Sequence, residues 1–505
     1  MTGYNNQERQ CCDNKQRWRS FFCRRVSPPF KNLPKSFIRY IKITIFASAH
    51  AIVMAIKLMA VKLKHTLLMK FYDREKELQI LRRNWEKSEQ KSFFTVMMGR
   101  RRIGKTALLL RTQKEQRMLY LYVSKDNEHV LVEKFQRMAA EALGLQIYGR
   151  MESFAQFFET LMQYGRDNHF TLVLDEFQNL LKVNPAIPSH IQDIWDRYHT
   201  STHVNLIACG SIFSMMHKIF DNDDEPLYGR KDCEIRLRPF RIAVIKEILR
   251  DYNPDYTSED LLCLYMLTGG VAKYISQLMD AGATTKDQML EWVTATGSPF
   301  LSEGIELIMA EFGKDYSNYL SILQLIAGGM TVQNQIDNII GKNTGTYLKN
   351  LHEDYNYINR LLPMFSKPGN RNIRWTMDDC FFRFWFRFIL PNQNIIEMER
   401  NDLLLEIVQR DYCDYTGLVL EQYFRQRIAE EERVTAVGNY WDRQGNNEID
   451  LIALNDIDRT ALVAEVKRNP ERYKEHVLKE KFETIRREFA KYKEVKLIGL
   501  SMKDM

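Results

Sequence analysis

Paired cysteines are missing from this chain. Its eight cysteines include no C-x-x-C pair and no regular spacing, which excludes a zinc site or a disulfide framework of the spaced kind. Cys209, Cys233 and Cys263 lie in apolar runs and read as core thiols, a usage that fits a reducing cytoplasm. Long hydrophobic runs are missing too. The longest uncharged apolar stretch, 43–56, falls short of the ~20 residues a membrane span needs. It lies too deep for a signal peptide and is followed by lysines rather than a cleavage site. General basicity is also missing, despite a net charge of +7. Residues 1–70 hold 14 Lys/Arg against 2 Asp/Glu, which leaves the rest of the chain at −5. Any basic surface for nucleic acid must therefore be local. Repeats and low-complexity tracts are absent, which excludes a solenoid.

What is present begins after that segment. Residues 1–68 read as a basic N-terminal extension outside the working fold, with Met69 as the expected start; a basic amphipathic membrane anchor is the alternative. The 505 residues imply about three domains at ~100–200 residues each. Short apolar runs at 93–99, 117–124, 170–177, 204–211 and 233–240 alternate with amphipathic stretches. That alternation predicts a parallel sheet covered on both faces, here over 69–240. Residues 241–312 lose the strands and read as a helical lid.

Three helical pieces followed by "MFSKPGNRNIRW" give a winged-helix pattern within 313–392, closed by the apolar stretch "DDCFFRFWFRFILPN", a buried connecting helix. Residues 393–410 read as a connector. Residues 411–505 read as helix, hairpin (about 434–467), charged helix and a final strand.

"GRRRIGKT" places Gly99, Gly104, Lys105 and Thr106 between a strand and a helix, the pattern of a phosphate-binding loop. Backbone N–H groups at a helix N-terminus cradle phosphates; Lys105 faces the β- and γ-phosphates and the Thr106 hydroxyl a Mg²⁺ ion. In "TLVLDEFQNL", Asp175 ends an apolar strand, where a carboxylate serves the Mg²⁺ shell. Glu176 beside it can orient or deprotonate the attacking water.

In "NNEIDLIALNDIDRTALVAEVKR", a turn centred on Ile457–Asp458 sets Asp450 opposite Glu465, and period-two alternation puts Lys467 on the face of Glu465. The bland reading is a cross-strand salt bridge. The winged-helix hairpin "MFSKPGNRNIRW" carries Lys367, Arg371 and Arg374 with no acid, a sequence-blind surface for DNA phosphates. The recognition-helix position, "NTGTYLKNLHEDY", instead carries Glu353 and Asp354.

With these motifs, residues 69–392 resemble the archaeal-type ATPase family within the AAA+/STAND group of P-loop NTPases, and 411–505 resemble its usual C-terminal domain. The resemblance implies ATP and Mg²⁺ as cofactors. "FYDREKEL" resembles the box near the adenine, implicating Tyr72 and Arg74; "LIACGS" resembles a sensor strand, implicating Ser211. "PLYGRKD" sets Arg230 where the family carries a candidate arginine finger, implying a homo-oligomer. "TGGVAKYI" resembles the lid-helix box, with Ala272 in place of proline. The hairpin resembles a PD-(D/E)xK restriction-endonuclease-like site, with Ile449 in place of proline. That likeness implies Asp450 and Glu465 as Mg²⁺ ligands, Lys467 as water-positioning residue and Glu421 as a further acidic partner. The expectation is an α/β ATPase that controls a winged helix and a nuclease-like unit on nucleic acid. The alternative is a STAND-like switch that recruits a protein partner with an inactive nuclease-like unit.

Overall fold

Burial on both faces explains why the central strands are apolar almost without interruption. The computed structural model describes residues 70–112, 116–146, 149–312 and 316–505; the expected extension 1–68 and the start at Met69 lie outside them. Strands β1 (Phe93–Met98), β2 (Met118–Tyr122), β3 (Phe170–Asp175), β4 (Val204–Gly210) and β5 (Cys233–Arg236) form one parallel sheet in the order β2-β3-β4-β1-β5. The five strands and their parallel pairing follow the sequence expectation. Helices α1 (Glu75–Ser88), α2 (Lys105–Thr112), α3 (Glu128–Leu143), α4 (Phe154–Tyr164), α5 (Ile187–Tyr198) and α6 (Phe213–Asp221) accompany it. Phe94, Leu121, Phe135, Phe158, Leu172 and Leu206 fill one continuous core between them. Cys209 and Cys263 are buried as expected, while Cys233 is half-buried.

Beyond β5 the chain is helical: α7 (Ile242–Tyr252), α8 (Ser258–Thr268), α9 (Ala272–Asp280), α10 (Lys286–Thr294) and α11 (Pro299–Phe312). Gly270, between α8 and α9, has φ +83°, and a Cβ there would stand 2.5 Å from the Phe240 carbonyl oxygen. Only glycine lets this turn lie against the exit of β5.

Helices α12 (Tyr316–Ala327), α13 (Gln333–Ile340) and α14 (Gly345–Glu353) precede the antiparallel pair β6 (Asn359–Leu361) and β7 (Arg374–Thr376). The apolar segment after β7 is helix α15 (Cys380–Phe384), continued by a π-helical turn, Trp385–Ile389. Its aromatic side chains are buried, as its composition requires.

A single helix, α16, then runs Asn401–Glu431, through the 410/411 boundary expected from sequence. It lies between two layers. Asn401 Nδ2 donates to the Thr294 carbonyl (2.6 Å) and Tyr265 O–H to Gln426 Oε1 (2.7 Å) on the lid side. Arg425 Nη1 donates to the Asp450 carbonyl (3.2 Å) on the other. The C-terminal sheet has the order β11-β10-β9-β8, from β8 (Ala436–Trp441), β9 (Glu448–Asn455), β10 (Thr460–Val466) and β11 (Glu494–Leu500). β8, β9 and β10 are antiparallel, β10 and β11 parallel, and helix α17 (Glu475–Ile485) crosses between the last two. The expected single hairpin over 434–467 is thus a three-stranded meander.

Candidate functional site

The phosphate loop sits between β1 and α2, with Gly104 at φ +99° and Arg102 at φ 70°. Such left-handed positions turn successive N–H groups to one side. Lys105 is buried, and its ammonium donates to the carbonyls of Gly99 and of Arg100 (3.2 Å). Burial pushes its pKa below the usual lysine range, opposed by Glu176 and Asp175.

Asp175 ends β3, and its Oδ2 accepts from the Tyr120 hydroxyl, which also lies 3.5 Å from Thr106 Oγ1. Burial, then this bond, raises the Tyr120 phenol above its ordinary range. Glu176 follows at φ 56°, a left-handed backbone that is uncommon outside glycine. Its Oε2 accepts from Ser211 Oγ (2.7 Å) and from Gln178. The structure thus brings Lys105, Thr106, Asp175, Glu176 and Ser211 together at the C-terminal ends of β1, β3 and β4. These oxygen donors beside a buried ammonium suit a hard dication and a polyphosphate.

Sequence reasoning missed Tyr120 and Gln178. Tyr120 reads as core in a strand, yet period-two alternation puts it and Tyr122 on one face, with Tyr122 in register with Asp175.

The other expected contacts are distributed. Tyr72 O–H donates to Asp251 Oδ2 (2.9 Å) on α7, fastening the start of the core to the lid, and Arg74 Nη2 donates to the Arg238 carbonyl (2.7 Å) just after β5. Arg230 Nη2 pairs with Asp196 Oδ2 (3.1 Å) of α5, so its guanidinium has a partner within its own chain. The lid box with Ala272 does reach the phosphate loop: Lys273 N–H donates to the Arg102 carbonyl (3.1 Å). Arg102 in turn makes a two-pronged contact with Glu303 (2.8 and 3.1 Å) on α11. Arg100 pairs with Asp379, which caps the buried helix α15. A cavity of about 440 Å³ opens beside the loop, walled by Arg100, Ser211 and Glu311 and by Tyr355 and Tyr357 ahead of β6.

In the C-terminal sheet β9 and β10 pair from Thr460↔Asn455 to Ala464↔Leu451, a register whose next positions are Glu465 and Asp450, the two that the turn centre sets opposite each other. Asp450 Oδ2 accepts from Val466 N–H (2.8 Å) and from Lys467 Nζ (3.0 Å); Lys467 Nζ lies 3.9 Å from Glu465 Oε2. Lys481 of α17, which sequence reasoning missed, pairs with Glu465 Oε1. Glu465 Oε2 is buried and has no hydrogen-bond partner among the described residues.

Burial and then Asp450 raise the Glu465 carboxyl above its ordinary range, against Lys481 and Lys467. Glu421 on α16 is pushed up to about 7, chiefly by burial and then by Asp450. Although burial opposes it, Asp450 and Glu465 hold the Lys467 ammonium above its usual range. Among the described residues no three His, Cys, Asp or Glu side chains gather as a ready metal cluster. Asp450 and Glu465 therefore stand as a pair of hard oxygen donors, one with a buried free oxygen, edged by two lysines.

Three comparisons bear on these sites. Residues 71–278 match the family described as an ATPase domain predominantly from Archaea, and residues 385–477 match a family of archaeal and bacterial proteins of unknown function. An uncharacterized protein of Methanocaldococcus jannaschii is 32% identical over 409 residues, covering 79% of this chain and 87% of that one. Among solved structures, a Walker-type ATPase of Pyrococcus abyssi aligns at 18% identity and TM-score 0.48, over 63% of this chain and 96% of that one. The ORC2 protein of Aeropyrum pernix aligns at 14% identity and TM-score 0.43, over 68% and 98%. Among the described residues, no helix is long and apolar enough to cross a membrane.

Proposed function

The chain belongs to the archaeal-type P-loop ATPase family, and we propose that it uses ATP hydrolysis to control a winged-helix segment and a nuclease-like C-terminal unit acting on nucleic acid. Bound Mg²⁺–ATP supplies the phosphoryl bond and the charge-neutralising cation. Lys105 exchanges its carbonyl acceptors for β- and γ-phosphate oxygens, and Thr106 and Asp175 hold the cation. Glu176, oriented by Ser211, takes the proton of the attacking water. Tyr72 and Arg74 serve the adenine side, and Arg230 acts as an arginine finger once released from Asp196.

One observation carries the coupling. The phosphate loop is bonded through Arg102 to α11 and through Arg100 to the cap of α15, which flank the winged-helix segment on either side. A change of charge in the loop therefore reaches that segment through these two ion pairs. In the C-terminal unit Asp450 and Glu465 would hold a divalent cation, which supplies a hydroxide nucleophile when bound. Lys467 positions the water, and Glu421 serves as a further acid.

ATPase and nuclease assays on one preparation, with and without DNA, test this reading. DNA-stimulated ATP turnover with metal-dependent cleavage supports it. A second reading, a STAND-like switch with an inactive C-terminal unit that recruits a protein, is favoured by Lys467 and Lys481, which already neutralise Asp450 and Glu465. Slow turnover indifferent to DNA, with no cleavage, would select it.

A further inference from the structure

The winged-helix loop and the C-terminal sheet enclose a groove of about 880 Å³ that belongs to neither site above. One wall is the loop 363–372 between β6 and β7. The other is the end of β8 with the end of α17 and the turn after it. The two walls are fixed to each other: Met364 N–H donates to the Asn439 carbonyl (2.9 Å), and a Cβ on Gly438 would overlap Met364 Sδ at 2.7 Å.

Four cations line it: Lys367 and Arg371 from the loop, Arg443 after β8, and Arg487 after α17. All four are exposed, and no ion pair engages any of them among the described residues. Two acids share the lining. Asp442 is occupied by the N–H groups of Gln444 (3.1 Å), Asn446 (2.9 Å) and Asn447 (3.2 Å), which leaves Glu488 as the acid facing the four cations.

Arg374, expected to contact phosphates, is spent elsewhere. It pairs with Glu448 and lies over the Trp441 ring (4.6 Å), clamping β7 to the start of β9. Two half-buried rings, Phe365 and Tyr440, complete the walls, while Trp441 is buried beneath the Arg374 guanidinium, its indole N–H without an acceptor among the described residues.

We propose that this groove binds single-stranded nucleic acid, with the four cations on its phosphates and the aromatic wall against its bases. The inference rests on the reading of the C-terminal unit as one that acts on nucleic acid, and names its substrate class. Separated cations around aromatic side chains suit an unpaired strand, whose base faces are free to stack, better than a duplex, whose faces are hidden. The carboxylates do not line the groove, but one residue that does lies a single helical turn from Lys481 on α17. Thr484 lines the groove, and Asn447 bonds to both the Thr484 hydroxyl and the Lys481 carbonyl (3.2 Å). Lys481 is the residue paired with Glu465.

The test is fluorescence anisotropy of labelled oligo-dT and of a labelled duplex with the full chain over a salt series. The double charge reversal Lys367→Glu/Arg443→Glu and the single change Arg487→Glu are compared with wild type, and DNA-free ATPase activity reports that each is folded. Wild type binds oligo-dT in preference to duplex. The double variant lowers the slope of log affinity against log salt by about 1.4, at ~0.7 per phosphate contact on single strands. Oligo-dT binding that the variants leave intact overturns the groove but not the nucleic-acid reading. Preference for duplex, or for anionic lipid vesicles, overturns the groove as well. No binding of any nucleic acid by wild type overturns both.

Discussion

Replacing Glu421 with glutamine stabilises the protein at alkaline pH and leaves it nearly unchanged at acidic pH. The reasoning starts from the carboxyl pushed up to about 7 by burial and by Asp450. Well below pH 4.5, Glu421 is protonated in both folded and unfolded chains, so it carries little penalty. Between 4.5 and about 7 the unfolded chain releases the proton while the folded chain retains it. The folded state then binds more protons, and stability falls as pH rises. At about 1.4 kcal/mol per pH unit, the full interval corresponds to at most about 3.5 kcal/mol. Because the side chain is 25% exposed, solvent screening brings the expectation to about 2 kcal/mol at pH 8.5. Arg425, which loses its partner in the variant, keeps its bond to the Asp450 carbonyl.

Urea titrations of wild type and Glu421→Gln from pH 4.5 to 8.5 give the difference curve. It should rise from near zero to its plateau across pH 5–7. Saturating Mn²⁺ should narrow the gap at pH 8.5, because a cation held by Asp450 and Glu465 draws the neighbouring carboxyl back toward its charged form. A pH-independent difference, or a variant less stable than wild type at pH 8.5, refutes the reasoning.

Lys105→Ala should weaken ATP binding by about 10–100-fold in calorimetric titration, the cost of one charged hydrogen-bonding group. Glu176→Gln should bind ATP normally and turn over about 10²–10⁴-fold more slowly, as expected when a general base is lost; wild-type turnover would show that Glu176 is not the base. Arg230→Ala should slow hydrolysis on the order of 10³-fold if the residue is a full arginine finger, whereas Asp196→Ala, which only frees it, should not; a wild-type rate in Arg230→Ala removes the finger. Asp450→Ala should abolish metal-dependent cleavage of oligo-dT, and Lys467→Ala should slow it while retaining Mn²⁺ binding. If the cluster is only a partly buried salt bridge, wild type shows no metal-dependent cleavage and the variants change stability alone.

Local patterns were legible and long-range partners were not. The five core strands are apolar on both faces, so composition alone marks them, and the phosphate loop is a contiguous string. The pairing of Asp450 with Glu465 was legible because an antiparallel turn fixes its register from the centre outward. Lys481 was not, since it approaches Glu465 from a helix beyond an intervening loop, and helix periodicity carries no information about that meeting. β8 was missed for a physical reason: it contains Gly438, is largely half-buried, and has a register shift between Gly438 and Tyr440, so no alternation survives in it. The helix α16 reads as two segments because it is buried by the lid and by the C-terminal sheet, and its apolar residues do not keep to a single stripe.

The phosphate loop itself separates two uses of arginine. A finger must be free to meet a phosphate, and Arg230 is held only by exposed Asp196 and by the nearby Tyr228 carbonyl (2.8 Å), contacts of the weak surface kind. Arg102 is different: its guanidinium meets both oxygens of Glu303, which is buried, and the Tyr274 hydroxyl lies 3.4 Å from the same carboxylate. Glu303 accordingly holds the Arg102 guanidinium above its ordinary range. Removing one partner of such a pair leaves the other charged and half-enclosed, so the loop and α11 move together or not at all. Within one eight-residue motif, then, Lys105 faces the nucleotide side while Arg102 ties the loop to α11, two hundred residues along the chain.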